Sequence, residues 1–358
     1  MKKLGFGLMR LPLLDSRDQS SVDTELIKKM IDLFIERGFT YFDTAFPYHE
    51  GESERTFGEL VAKRYPRHKF TIADKMPCWE VSDHDMLGNI FNLQLQNCAV
   101  EYFDYYLLHS LDLQSYQEMK RLEAFSFLEE MKKIGKIKHV GFSFHDKSEV
   151  LEHILGEQPQ IEFVQLQINY LDWQNPQVQS RECYEVCVKH HKPVIVMEPV
   201  KGGTLANVAE LKELDQEKSP ASWAIRFVAS LENVFMVLSG MNTLEQILDN
   251  TSFMQDFKPL NDSERKMLCQ LGKKIQSRFS IPCTNCHYCT AKCPQNIAIP
   301  EYFQLCNTIY NLSSYQELLL QGYGMASECI SCGQCEERCP QHLPIRKYLQ
   351  KVVEIFER

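Results

Sequence analysis

The chain has 358 residues, 44% of them hydrophobic and 24% charged, with a mean hydropathy of -0.32. Such a composition belongs to a water-soluble globular protein, and no run of 18 apolar residues is present to span a bilayer. Lys and Arg number 39 against 48 Asp and Glu, a net charge of -9 that argues against nucleic acid as a main partner.

The first residues, Met1-Lys2-Lys3-Leu4-Gly5, enter an apolar stretch at once, but Arg10 and Pro12 cut it short and no small-residue cleavage site follows. It reads as an unexported first strand of a cytoplasmic protein. From there to about residue 257, short β-branched or aromatic runs alternate with amphipathic helical segments, the pattern of repeated βα units on a parallel sheet. Eight strands are expected, at Leu4 to Leu11, Phe39 to Ala45, Lys69 to Met76, Tyr102 to Ser110, His139 to His145, Phe163 to Tyr170, Pro193 to Pro199 and Phe235 to Met241. In Asp23 to Arg37 the residues Leu26, Ile27, Met30, Ile31 and Phe34 recur at helical spacing. Ser115 with Glu118, Asp146 with Glu149 and Thr243 with Gln246 have the spacing of capping boxes. Eight such repeats, with no Gly-x-Gly-x-x-Gly turn after the first strand, predict an α/β fold of the (β/α)8 TIM-barrel type over residues 1–257.

After Phe257 the pattern changes. Asn261 and Glu264 form another capping box, opening a helix whose apolar face is Met267, Leu268, Leu271, Ile275 and Phe279. Residues 258–281 are the expected connector. Residues 282–358 read as a small, mainly helical, cysteine-rich domain, with Tyr302 to Leu320 and Ile345 to Phe356 as its longest helices.

In such barrels the active site sits where the strands end at their C-terminal face. Asp43 ends the second expected strand, Tyr48 follows it, Lys75 ends the third and His109 ends the fourth. A free phenol has a pKa of about 10 and is a poor acid near neutrality, but an ammonium beside it stabilises the phenolate. Lys75 suits that part, Asp43 would keep the lysine charged, and a neutral His109 could hydrogen-bond a carbonyl oxygen. The set suits proton transfer in carbonyl reduction.

These residues, in Asp43-Thr44-Ala45, Tyr48 with Gly51 and Glu54, Lys75 and His109, resemble the Asp, Tyr, Lys and His tetrad of the aldo-keto reductase family. The resemblance runs from Gly5-Phe6-Gly7 to Asn250. It implies that Tyr48 is the general acid, that Lys75 and Asp43 tune it, that His109 orients the carbonyl, and that hydride comes from NAD or NADP. By the same resemblance Ser143 and Gln165 contact the nicotinamide carboxamide, while Gly240, Gln246 and Asn250 contact phosphate and adenine. Two positions depart from the family. Met197 stands where most members stack a tyrosine on the nicotinamide, and Phe144 stands where many have Asn. Gln246 occupies the expected arginine site and Asp249 adds negative charge, which favours NAD, although Lys201 could serve a phosphate.

Fourteen cysteines are distributed unevenly, nine of them between Cys283 and Cys339. A large chain without an export signal is a poor candidate for a disulfide framework, so metal ligation is the better reading. Cys283, Cys286, Cys289 and Cys293-Pro294 have the same spacing as Cys329, Cys332, Cys335 and Cys339-Pro340. This doubled run resembles that of two-cluster ferredoxins, here of the α-helical kind fused to redox enzymes. The resemblance implies two 4Fe-4S clusters, one on Cys283, Cys286, Cys289 and Cys339 and one on Cys329, Cys332, Cys335 and Cys293. Two structural zinc sites are the alternative, which would need neither the third cysteine nor the repeated Cys-Pro.

Among the other candidates, Cys78, Cys183 and Cys187 read as packed side chains, His49 and His145 as loop histidines on the catalytic face, and His190 and His191 as a helix end. The expected function is an oxidoreductase moving hydride between NAD or NADP and a small carbonyl or alcohol, with an appended iron-sulfur domain. Clusters pass single electrons and nicotinamides pass pairs, which leaves room for a redox protein partner. The rival is an electron-transfer or redox-sensing module whose barrel mainly binds a ligand or partner. Neither nucleic acid nor membrane is an expected partner.

Overall fold

Eight parallel strands close into a barrel in the computed structural model, which describes residues 2–15, 17–276, 281–290, 293–307 and 312–358. They are β1 (Leu4–Gly7), β2 (Tyr41–Asp43), β3 (Thr71–Met76), β4 (Phe103–Leu111), β5 (Ile137–Phe144), β6 (Phe163–Gln167), β7 (Val194–Met197) and β8 (Val234–Ser239). Each pairs with the next, and β8 closes on β1 through Phe6 and Ser239. The sequence locates all eight, but it overextends several. Leu8, Leu11, Ala45, Ile168 and Tyr170 are buried apolar residues that continue the strand pattern without continuing the ladder.

Side chains alternate between the two faces of a strand. Tyr41, Ala73, Leu107, Phe163, Ile195, Met236 and Leu238 pack together inside the barrel. Two residues further along the same strands come Asp43, Lys75, His109, Gln165 and Met197, so alternation brings these five onto the same interior side, one layer nearer the C-terminal end. The barrel floor is apolar and its mouth is polar.

Outside the barrel, helices shield the second strand face. Thr24–Glu36 turns Ile27, Met30, Ile31 and Phe34 inward, and Asp23 caps it by accepting from Leu26 N. Phe34 lies 5.5 Å from Phe6 and 5.5 Å from Phe42, between ring centroids, which seats β1 and β2. None of the three capping boxes expected before Phe257 forms as predicted. Leu113–Arg121 starts early enough that Asp112 is its cap and Ser115 the reciprocal partner. Asp146 instead accepts from Leu113 N and Lys147 N, and Lys147 precedes the helix Ser148–Glu157 without a side-chain cap. Thr243 does cap Leu244–Gln255, but the Gln246 carboxamide oxygen accepts from Asn242 N rather than from the cap residue. Asn261 and Glu264 form the expected reciprocal pair, at 2.9 and 2.8 Å.

The chain divides into two units, Met1–Leu268 and Cys269–Arg358. The division falls inside the helix Asp262–Gln276, where Leu268 and Ile275 are buried, Met267 and Leu271 are half-buried, and Phe279 lies outside the described residues. In the second unit, Ile345–Phe356 is helical as expected, whereas Tyr302 to Leu320 holds two helices, Ile299–Asn307 and Leu312–Leu320, with residues 308–311 outside the described set. The core of this unit packs Tyr315 against Tyr302 at 4.6 Å and stacks it on Phe356 at 5.1 Å. A parallel bridge joins Ile297 to Gly324. Gly324 is required there, because a Cβ would stand 2.2 Å from the Gln295 carbonyl oxygen.

Phe34 is fully buried, so Phe34→Ala should cost about 3–5 kcal/mol of barrel stability through lost contacts and the cavity left behind. Denaturant unfolding followed by tryptophan fluorescence measures it, and a cost under about 1 kcal/mol would show that the aromatic seat is dispensable.

Candidate active site and thiol cages

Lys75 carries the geometry of the barrel mouth. Its ammonium is 1% exposed and donates to Asp43 Oδ1 at 2.5 Å and to the Thr44 carbonyl at 2.6 Å, and it reaches Tyr48 Oη at 3.5 Å. The last distance is long, as catalytic contacts often are before substrate arrives. Burial pushes the Asp43 carboxyl up, and the Lys75 charge opposes the shift. The Tyr48 and His109 rings stand edge to face with centroids 6.0 Å apart. Burial, and then the Lys75 charge and His145, hold the His109 imidazole well below its usual pKa, so it is neutral at physiological pH.

Local backbone aims these groups. Beyond His109 the β4 ladder shifts register and Ser110 takes a φ of 61°, the mark of a bulge that redirects a strand end. Its N–H then donates to Ser143 Oγ at 2.7 Å. After Tyr48, three successive residues are left-handed, His49 at φ 52°, Glu50 at 55° and Gly51 at 92°. Gly51 adopts that conformation without Cβ strain, and the two before it need an anchor. His49 supplies one. It is buried, not a solvated loop residue: its Nε2 accepts from Leu11 N at 3.0 Å and its Nδ1 donates to the Gln19 carbonyl at 3.0 Å.

Behind β3 lies a second polar layer. Gln94 Nε2 donates to the Lys75 carbonyl at 2.9 Å and to Glu54 Oε1 at 3.0 Å, while Asn97 holds Glu54 Oε2 at 2.8 Å. Asp74 accepts from Lys75 N at 2.8 Å and from the Cys98 thiol at 3.6 Å. Glu54 and Asp74 are fully buried, and burial pushes both carboxyls up. Of this layer the sequence reading marks only Glu54, and it passes over Asp74, Gln94, Asn97 and Trp79, whose ring lies 5.0 Å from His109 and is 42% exposed. Its position just past β3, beside Cys78, is the signal that could have drawn attention to it.

The other sequence candidates fall into several environments. Gln165 is buried, and its Oε1 has no partner among the described residues. Met197 is half-buried at the end of β7, and Phe144 is buried. A Cβ on Gly240 would lie 3.3 Å from the Arg10 side chain. Asn250 donates to Ser239 Oγ at 2.9 Å, Gln246 is exposed, and Asp249 accepts from Ser219 Oγ at 2.6 Å. Lys201 does not present a free cation to a phosphate. It is buried and bonded to both Asp172 carboxylate oxygens, at 2.8 and 2.6 Å. Cys78 is buried, its thiol pushed up to about 12 by burial, and Cys183 and Cys187 are buried in Ser180–Lys189. His145 is half-buried, and His190 follows that helix, 2.8 Å from Glu152.

In the second unit the eight run cysteines line two small cavities. Cys283, Cys286 and Cys289 share the first with Cys339, while Cys329, Cys332 and Cys335 share the second with Cys293. Each run therefore lends its fourth thiol to the other's cavity. Burial pushes the Cys335 thiol up to about 11, and Glu336, Cys329 and Cys293 add to the shift. Among the described residues no three His, Cys, Asp or Glu side chains converge as a single metal ion requires. Four thiols face each cavity, the ligand number of a 4Fe-4S cluster. Among the described residues no helix is long and apolar enough to cross a membrane.

Residues 3–273 match the profile of the aldo/keto reductase family, and residues 282–343 match that of the 4Fe-4S dicluster domain. An aldo-keto reductase of Gibberella moniliformis is 27% identical over 146 residues, covering 39% of this chain and 42% of that relative. The chain thus matches less than half the length of that curated relative. An aldo/keto reductase from Klebsiella pneumoniae, solved with NADP and acetate, superposes with a TM-score of 0.61 at 17% identity, over 75% of this chain and 90% of that one. The holo form of an aldo-keto reductase from Bacillus halodurans gives 0.61 at 23%, over 75% and 91%. At these identities the solved structures establish the shared fold.

His49 makes the barrel acid-sensitive. Burial lowers its pKa, and protonating Nε2 would break the bond from Leu11. Below the unfolded value of about 6.5 the unfolded chain binds the extra proton, so this contribution is full above that pH and is lost as pH falls toward the folded value. Thermal midpoints between pH 8 and pH 5.5 should fall more steeply for the parent than for His49→Gln. Equal slopes would contradict the anchoring role.

Proposed function

This chain belongs to the aldo/keto reductase family, and on that premise we propose that it interconverts small carbonyl compounds and alcohols using a nicotinamide dinucleotide. The observation that carries the reading is the Lys75 ammonium, which joins the Asp43 carboxylate to the Tyr48 phenol in a buried site. When bound, the nicotinamide supplies or receives the hydride. Tyr48 delivers the proton to the carbonyl oxygen in reduction, and Lys75 beside it lowers the free energy of the phenolate left behind. Asp43 keeps that lysine charged and aimed. His109, neutral, donates a hydrogen bond that orients the carbonyl without competing as an acid. Trp79, partly exposed against His109, forms an apolar wall for substrate.

The residues present fit the dinucleotide. Gln165 leaves a buried acceptor unsatisfied, and a carboxamide N–H is the donor it lacks. Ser143 and Gln165 would hold that carboxamide, Met197 would line the ring face as a polarizable apolar surface, and Gly240, Gln246 and Asn250 would take the remainder. With Gln246 neutral and Asp249 one turn away, the reading favours NAD over NADP. The paired cavities fit two 4Fe-4S clusters by the same standard, each offering four thiols from two runs. The setting is cytoplasmic, and a redox protein is the natural partner for the clusters, since they pass single electrons while the barrel site moves two as hydride.

Tyr48→Phe tests this directly. It should lower turnover by at least about 100-fold, the low end for loss of a general acid, with nicotinamide affinity little changed. Anaerobically purified protein oxidising NADH or NADPH with a panel of carbonyl compounds provides the assay. Undiminished turnover in the variant would remove Tyr48 from the mechanism, and no turnover by the parent on any carbonyl would favour the electron-transfer module.

A further inference from the structure

The two thiol cavities are built differently. The first is walled by Ile299, Pro300, Phe303, Leu343 and Ile345, and Cys289 within it is 8% exposed. Among the described residues its one titratable lining group besides the thiols is His287, which lies 3.5 Å from Glu301. The second shares Ile299 and buries Cys335 to a similar degree, at 9% exposed, but it has an exposed thiol at its rim. Cys332 is exposed, and the adjoining Ile330 is 59% exposed. It also has a cation in its lining, Arg346.

Arg346 is held by three bonds to one carboxylate. Its N–H donates to Glu336 Oε1 at 2.8 Å, and its Nε and Nη2 donate to Oε2 at 2.9 and 2.7 Å. Glu336 follows Cys335 in the chain and its charge adds to the upward shift of that thiol, whereas Arg346 lines the cavity. The pair therefore places a cation in the lining with a carboxylate beside Cys335 opposing it, so the two charges act on the site with opposite sign.

Reduction adds one electron, and hence one negative charge, to a cluster. Solvent and a nearby cation stabilise that charge, while an apolar wall leaves it unscreened, so exposure and positive neighbours raise the potential. Exposure and the lining cation act in the same direction. We propose that the cluster on Cys293, Cys329, Cys332 and Cys335 is the higher-potential one of the pair, and that Arg346, positioned by Glu336, sets the gap. Electrons entering this domain would then rest on the more exposed cluster, the one suited to hand them to a partner.

The proposal rests on the two-cluster reading, which is checked first: anaerobic full-length protein should hold about eight iron atoms and eight acid-labile sulfides. Content well below that with stoichiometric zinc would refute the cluster reading itself. Redox titration followed by electron paramagnetic resonance then tests the inference. The parent should show two one-electron waves. Arg346→Gln should shift the upper wave down by roughly a tenfold change in its reduction equilibrium, 59 mV for one electron, and Glu336→Gln should shift it up. Arg346→Lys should stay near the parent, and the lower wave should not move in any variant. A purely structural role would move both variants the same way or deplete iron. If Arg346→Gln loses iron, the Glu336→Gln arm still carries the sign. A single wave in the parent, shifts of the same sign, or a shift confined to the lower wave would each overturn the assignment.

Discussion

An ammonium group with almost no solvent contact must find its counter-charge within the protein, and the barrel mouth is organised around meeting that need for Lys75. Removing one partner of a buried pair costs about 3–5 kcal/mol, because the other charge is left stranded. The pair therefore ties β2 to β3 at the level where the ladder matches Asp43 with Ala73 and sets Lys75 two residues further on. Once fixed there, the ammonium also reaches Thr44 and Tyr48, and its charge adds to the burial that keeps His109 neutral. The carboxamide of Gln94 fastens the Lys75 backbone from outside the barrel, with Glu54 and Asn97 fastening Gln94's surroundings in turn.

The second unit meets a related need with other means. Ninety or so residues with short helices bury a modest core, and small domains of that kind commonly draw on metals for stability. Here the two cysteine runs exchange their last thiols, so each cavity is closed by chain from both ends of the unit. Tyr315, stacked on Phe356 and tilted against Tyr302, adds aromatic packing to this core, and the Gly324 bridge lets two loops approach to backbone contact.

Much of this was legible in the chain because it depends on local rules. Polar residues at the ends of apolar runs stand out, and two-residue alternation carries Asp43, Lys75 and His109 to one interior side. The doubled cysteine spacing is equally plain, and the exchange of the fourth thiols follows the resemblance it carries. What stayed hidden depends on partners far along the chain. The role of His49 comes from backbone groups at Leu11 and Gln19, and the commitment of Lys201 comes from Asp172, 29 positions away. Capping misled where a helix began a few residues early, which turned Ser115 from cap into partner. Strand ends misled where buried apolar loops continue the pattern of the sheet.

The central claim is that the Lys75 charge makes Tyr48 a competent acid while leaving dinucleotide binding to other residues. Lys75→Met retains the length and apolar stem of the side chain and removes the charge with its hydrogen bonds to Asp43, Thr44 and Tyr48. Single-turnover reduction of a carbonyl by pre-bound nicotinamide, measured beside the nicotinamide dissociation constant, separates the two functions. The account predicts near-parental binding and a chemical step slowed by about 100-fold or more. A parental rate for that step in a variant that still binds nicotinamide would contradict it.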